Sequence, residues 1–197
     1  MVSENTKKIA VVVSALDEEY QYNIIRGINR CAEEHKLNIS YFAAFGGLVD
    51  SRRFDLGEYS IYNLIDYSKF DGVLLMINTF GDAEMRKKVL DKVGAGNKPT
   101  VVFESKENPD FYDISIDNFS AMKKLVNHII KHHNAKVLNC VTGPLVNPEA
   151  KSRFDAFCAA MEENGLTVDE RRIFYGNFRS YDGKQAVDDF LQSGLPL

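Results

Sequence analysis

Two kinds of hydrophobic pattern alternate along this chain. Residues 9–13 (IAVVV) form an unbroken apolar run, as expected for a strand covered on both faces. After Ser14-Ala15-Leu16-Asp17, the apolar residues Ile24, Ile25, Ile28, Cys31 and Ala32 recur at helical spacing, with Asp17 or Glu18 near the helix start. Residues 39–45 read as a second strand closed by Gly46-Gly47, residues 50–60 as a polar loop and residues 61–67 as a short helix. Asp71-Gly72 introduces a third strand at 73–77, followed by a helix at 82–93, a fourth strand at 99–103 and a short fifth at 114–116. Strands and helices in this order predict a parallel sheet with helices on both faces.

The pattern then restarts. Met122, Leu125, Val126, Ile129 and Ile130 lie along one stripe of a helix at 119–133. A strand is expected at 137–141, a helix at 149–164 closed by Gly165, a strand at 172–175 and a helix at 182–192. Leu195-Pro196-Leu197 reads as the lead-in to a further strand, so the second layer is expected to be incomplete here and to continue in nature. The expected fold class is α/β with two lobes of Rossmann-like parallel sheet. An N-terminal lobe spans 1–117, a crossing helix 118–134 and a partial C-terminal lobe 135–197.

Composition narrows the function. With 197 residues and 45% hydrophobic content the chain can bury a sizeable core. A net charge of −4 leaves no basic surplus for direct nucleic-acid contact. The apolar run after MVSENTKK is too short for a signal peptide or a membrane span, so a cytoplasmic chain is expected. Cys31, Cys140 and Cys158 lack ligand spacing and sit in apolar patterns, which predicts buried free thiols. No GxSxG, phosphate-loop, HExxH or GxGxxG motif occurs, so no cofactor is expected and enzyme chemistry is disfavoured. His128, His132 and His133 have no carboxylate or thiol at matching spacing; at a helix C-terminus they read as capping or solvated groups, and no metal is expected.

Open α/β sheets bind ligands at the carboxyl ends of their strands. That rule selects residues 14–20, Gly46-Gly47, Asn78-Thr79 and Glu104-Ser105 in the first layer, and 142–147 and 176–178 in the second. Singly, Asn78 and Ser105 fit ordinary turns, Glu104 a salt bridge, Asp117 a helix N-cap and Arg153 an ion pair with Glu149 or Asp155. Together they fall on one rim, which favours a cleft. Phe178, an aromatic between polar residues past a strand end, suits a platform for a sugar or base ring.

Several segments carry a family resemblance. KKIAVVVSALDEEYQYNIIRGI, KFDGVLLM, SIDNFSAMKKLVNHIIKHHNAKVLNCVTGP, RFDAF and GNFRSYDG occur in the order and at the distances found in the type I periplasmic-binding-protein fold. In that fold the chain resembles the ligand-binding domains of the lactose-repressor (LacI) family and ribose-type binding proteins, from Lys8 to Leu197. The resemblance implies a non-enzymatic, two-lobed sensor closing on a small polar ligand, most often a sugar, in a transcriptional or signalling regulator. It implies ligand contacts at Ser14, Tyr20, Asp117, Arg153 and Phe178, and a homodimer, while Asn78 and Glu104 are candidate ligand contacts from the strand-end rule. EYSIYNLIDYSKFDGVLL is also similar to sensor modules of this fold fused to output domains such as GGDEF-type diguanylate cyclases. Ala156 stands in RFDAF where the family usually has glycine. Asp17-Glu18-Glu19 replaces the family's Asn-Pro loop, so ligand identity does not carry over. Two rival readings stand beside the sensor. One is a small α/β enzyme on a sugar or sugar phosphate with Glu104 or Asp117 as base; the other is an interaction module whose cleft binds nothing.

Overall fold

The computed structural model describes residues 6–16, 18–45, 52–105 and 108–195. Expectations at Asp17, Gly46-Gly47, residues 50–51 and Pro196-Leu197 lie outside them. The chain forms two compact units, Met1–Ser115 and Ile116–Leu197.

The first unit is a five-stranded, all-parallel sheet in the order β2-β1-β3-β4-β5. Its strands are β1 (Lys8–Ser14), β2 (Asn38–Ala44), β3 (Gly72–Leu75), β4 (Thr100–Phe103) and β5 (Tyr112–Ile114). Central β1 explains the IAVVV run: Ala10 and Val12 join one apolar cluster, Val11 and Val13 point the other way, and none of the four has exposed surface. Helices α1 (Glu19–His35), α2 (Arg52–Glu58) and α3 (Ala83–Ala95) accompany the sheet. Helix α3 starts where Asp82 accepts a hydrogen bond from the Met85 N–H at 2.8 Å, and buries Val89, Leu90 and Val93.

The polar segment expected as a loop at 50–60 is helical from Arg52, and the short helix expected at 61–67 is shifted. A 3₁₀ helix covers Tyr59–Leu64, Ile65 is extended, and a second 3₁₀ turn covers Tyr67–Lys69. Tyr59 and Tyr62, three apart as a 3₁₀ repeat requires, are buried against Phe80 with ring centroids 6.1 and 5.0 Å away. Tyr62 also donates from its hydroxyl to the Val13 carbonyl at 2.7 Å. Strand β3 ends at Leu75 rather than Ile77, because Thr79 turns the chain. Its N–H and its hydroxyl both donate to the Met76 carbonyl, forming a 3₁₀ turn over Ile77–Thr79.

The second unit contains α4 (Asn118–His133), β6 (Cys140–Thr142), α5 (Pro148–Glu163), β7 (Ile173–Tyr175) and α6 (Ser180–Gln192). Parallel β6 and β7 form a two-stranded sheet. Strand β6 is shorter than the apolar run 137–141, since its ladder is only as long as β7, and Val137 is exposed. The core joins Val126 and Ile130 of α4, Cys140, Ile173, and Phe157, Ala160 and Met161 of α5. Asn164 ties α5 to α4 through Asn127 at 2.6 Å. Gly165 ends α5 in the left-handed region at φ +67, as expected of a residue just past a helix end. Among the cysteines, Cys140 is buried and Cys158 half-buried. Cys31 is exposed, against expectation, because α1 turns its face toward Ala32 inward and leaves position 31 in solvent.

Candidate functional site

Backbone strain marks the strand ends. Six described non-glycine residues have positive φ, and Lys36, Asn97 and Asn134 of these sit at helix C-termini. The other three are Ala15 (φ 54) just past β1, Glu104 (φ 54) just past β4, and Phe178 (φ 63) in the loop after β7. Such a conformation costs a non-glycine residue about 1–3 kcal/mol, and it persists only where surrounding contacts impose it. All three positions lie at carboxyl ends of parallel strands, where this class of fold binds ligands.

In the first unit, Ser14 is buried; its N–H donates to Thr79 Oγ1 at 2.9 Å and its hydroxyl contacts Tyr62. Burial raises the Tyr62 phenol well above the usual tyrosine range. Tyr20 is exposed, and its hydroxyl accepts a hydrogen bond from Asn78 Nδ2 at 3.1 Å, so these two candidates are brought together. Glu104 is half-buried and its N–H donates to the Ile114 carbonyl at 2.9 Å. Beside it, the buried Ser105 donates from its N–H to Asp113 Oδ1 at 3.2 Å.

Gln21 was not among the expected residues. It is buried in the first turns of α1, and its Nε2 donates to the Ser14 carbonyl at 3.4 Å. A carbonyl only accepts, so the amide orientation is settled, and Oε1 has no hydrogen-bond partner among the described residues. The sequence carried a signal: 21, 24, 25, 28 and 32 share one helical stripe, with a glutamine on an otherwise apolar face.

The second unit holds a cavity of about 430 Å³ at the carboxyl ends of β6 and β7. Thr142 and Gly143 form its floor, Arg153 and Phe154 of α5 one wall, and Gly176, Phe178 and Asp182 the other. Helix α5 is anchored by Asn147, whose Oδ1 accepts from the Glu149 and Ala150 N–H groups at 3.0 Å each, with Pro148 at its first position. Arg153, one turn in, is held by Nη1 donating to Asn118 Oδ1 at 2.8 Å, with Glu149 at 4.0 Å. The expected Asp155 contact is not the one made: Asp155 pairs with Lys151 at 2.6 Å. Asp117 is exposed and caps α4, accepting from the Ser120 N–H at 2.9 Å; its neighbour Asn118 is the residue that reaches Arg153.

Phe178 is 53% exposed and its ring lies against Gly143, where a Cβ would overlap three ring atoms. Asp182, in the first turn of α6, is buried, and its Oδ2 accepts from the N–H groups of Asn177 and Arg179 on either side of Phe178. This residue was expected only as a helix start. Cys140 contributes to the wall, and burial, with Cys158 nearby, pushes its thiol up to about 11. The cavity thus combines a fixed guanidinium, a threonine hydroxyl, a buried carboxylate and an aromatic face, suited to a small ring bearing hydroxyls.

The histidines of α4 stack, His128 on His132 at 4.6 Å and edge-on to His133 at 5.2 Å. Among the described residues no group of three His, Cys, Asp or Glu is placed to hold a metal ion, and no helix is long and apolar enough to cross a membrane.

No family model matches the chain. It is 25% identical over 194 residues to the HTH-type transcriptional repressor CytR of Escherichia coli strain K12, covering 97% of this chain and 52% of the repressor. It is 24% identical over 189 residues to the repressor PurR of Proteus mirabilis, with 95% and 52% covered. The chain therefore spans about half the length of these curated relatives. Among solved structures, it superposes on the lac repressor dimer bound to operator and the anti-inducer ONPF with a TM-score of 0.76 at 15% identity, covering 98% of this chain and 63% of that one. The regulator CelR in complex with cellobiose gives 0.73 at 20% identity, covering 98% and 57%. These proteins are transcriptional repressors or regulators by name. The five-stranded parallel sheet with a second, smaller sheet thus has the fold of the LacI-type regulator core, and over nearly its whole length the chain is similar to such regulators in their type I periplasmic-binding-protein-like ligand-binding domain.

Proposed function

We propose that this chain is the effector-sensing region of a cytoplasmic regulatory protein, and that it binds a small polar ring compound of the sugar or nucleoside class. The cavity of the second unit carries the reading. Arg153, held by Asn118, offers remaining guanidinium donors to ligand hydroxyls, and Phe178 offers a ring face to the apolar side of the ligand. Within the first unit, taken by itself, the hydrogen-bonded Tyr20 and Asn78 and the left-handed backbone at Ala15 and Glu104 mark the strand ends as candidate contact positions. Occupancy would act on a regulatory output as a population shift, through differing ligand affinity for two states. The relatives' names support a regulatory role. The enzyme reading has no comparable support: Asp117, one of its two candidate bases, caps a helix.

Isothermal titration calorimetry of the full chain against a panel of monosaccharides, disaccharides and nucleosides tests this. At least one compound is expected to bind, and Arg153→Ala and Phe178→Ala should each weaken it by about tenfold or more, the loss of one well-made polar or stacking contact. Binding unchanged in both variants overturns the assigned site; no binding across the panel overturns the ligand class.

A further inference from the structure

We propose that Asp182 is the positioning residue that presents Phe178 to the ligand. The proposal rests on the reading that the second unit's cavity takes a ring-bearing ligand. Phe178 stands in the left-handed region at φ 63, a conformation a phenylalanine does not adopt unaided. Two contacts impose it. On the backbone side, Asp182 Oδ2 accepts from the N–H groups of Asn177 and Arg179, the residues flanking Phe178, so one carboxylate oxygen clamps both ends of the strained residue. On the side-chain side, the ring rests on Gly143, which has no Cβ to obstruct it.

The neighbouring glycine serves the same clamp. A Cβ at Gly176 would stand 2.9 Å from Asp182 Oδ2 and 3.2 Å from its Cβ and Cγ, so the carboxylate reaches the loop only because position 176 is bare. Asp182 is 7% exposed, and a buried carboxylate carries a desolvation cost that these charge-assisted hydrogen bonds offset. Its bond to the Arg179 N–H is the capping-box contact by which the third residue of a helix reaches back to its N-cap. The bond to the Asn177 N–H goes beyond capping: it ties the residue before Phe178 to the same oxygen and sets the ring's place before ligand arrives, which reduces the ordering cost of binding.

The test labels the full chain with fluorophenylalanine and follows the Phe178 resonance by ¹⁹F NMR without ligand; that resonance, one of 13, is assigned by its absence in Phe178→Leu. In Asp182→Ala this signal should move and sharpen as the ring is freed, while the other resonances keep their folded positions. Asp182→Asn, which retains an oxygen acceptor, should restore it. Should Asp182→Ala fail to fold, Gly176→Ala, which pries the clamp from the opposite side, should give the same selective shift. Affinity for the compound found by calorimetry should fall about tenfold in Asp182→Ala and recover in Asp182→Asn. A Phe178 resonance indifferent to all three substitutions overturns the positioning role, whether or not a ligand binds. A freed ring with unchanged affinity also overturns it. Absence of any ligand removes the functional reading on which the proposal rests, and is recognised separately because the spectrum is recorded without ligand.

Discussion

Gly143→Ala separates ring position from fold stability. Gly143 has no left-handed φ, so alanine meets no backbone obstacle there. The new Cβ would stand 2.9 Å from Phe178 Cδ1 and closer still to Cε1 and Cζ. Carbon atoms at rest sit about 3.5–4.0 Å apart, so the ring must retreat by about 1 Å or swing outward. These atoms are the free end of a side chain that is 53% exposed, and nothing obliges the backbone to move. If the buried half of the ring, about 100 Å², were given up entirely, the loss at about 25 cal/mol per Å² would be about 2.5 kcal/mol. Replacing glycine by alanine returns about 0.4–1 kcal/mol by restricting the unfolded chain. The expected net destabilisation is therefore between about 0 and 2 kcal/mol, measured by urea denaturation followed by circular dichroism. Ligand affinity and the Phe178 ¹⁹F resonance should nevertheless change clearly. A destabilisation above about 4 kcal/mol, the scale of a disrupted core, would show that backbone rather than ring gives way. An unmoved ring signal would equally refute the argument.

Two further outcomes follow from the same geometry. Asn147→Ala removes the acceptor of two helix N–H groups at the start of α5 and should cost about 1 kcal/mol in urea denaturation, whereas Asn147→Asp should keep most of the stability; equal loss in both would contradict a capping role. Alkaline pH should destabilise the second unit through Cys140. Its thiol titrates near 11 when folded against an ordinary value of 9.0, so only the unfolded chain releases the proton between those values. Stability is full below pH 9 and declines toward pH 11, and Cys140→Ala should flatten that part of the urea-midpoint profile; an unaltered slope would remove the assignment.

Strong periodic signals translated directly into elements. The IAVVV run became the central strand, the stripe from Met122 to Ile130 became α4, and Gly165 closed α5, because each pattern is set by residues a few positions apart. Failures came where distant residues decided. Residues 52–64 read as polar loop and misplaced helix because burial of Tyr59 and Tyr62 depends on Phe80 and on the Val13 carbonyl. Strand β6 stopped where its partner β7 stopped, a length no local pattern encodes.

The site divides in the same way. Arg153 and Phe178 could be picked out from the sequence as candidates at strand and helix ends, and both line one cavity. That Arg153 would be held by Asn118, 35 residues earlier, rather than by Asp155 was not legible, since an ion pair on a helix surface competes with partners brought in by folding. Nor was the role of Asp182, whose carboxylate grips N–H groups on both sides of Phe178 across a loop shaped by Gly176. Residue order alone thus specified the α/β alternation, helix caps such as Asp117 and the positions at the strand ends. Packing settled which rim residues serve the fold and which face the cavity, because burial and hydrogen-bond competition depend on neighbours that only the folded chain supplies.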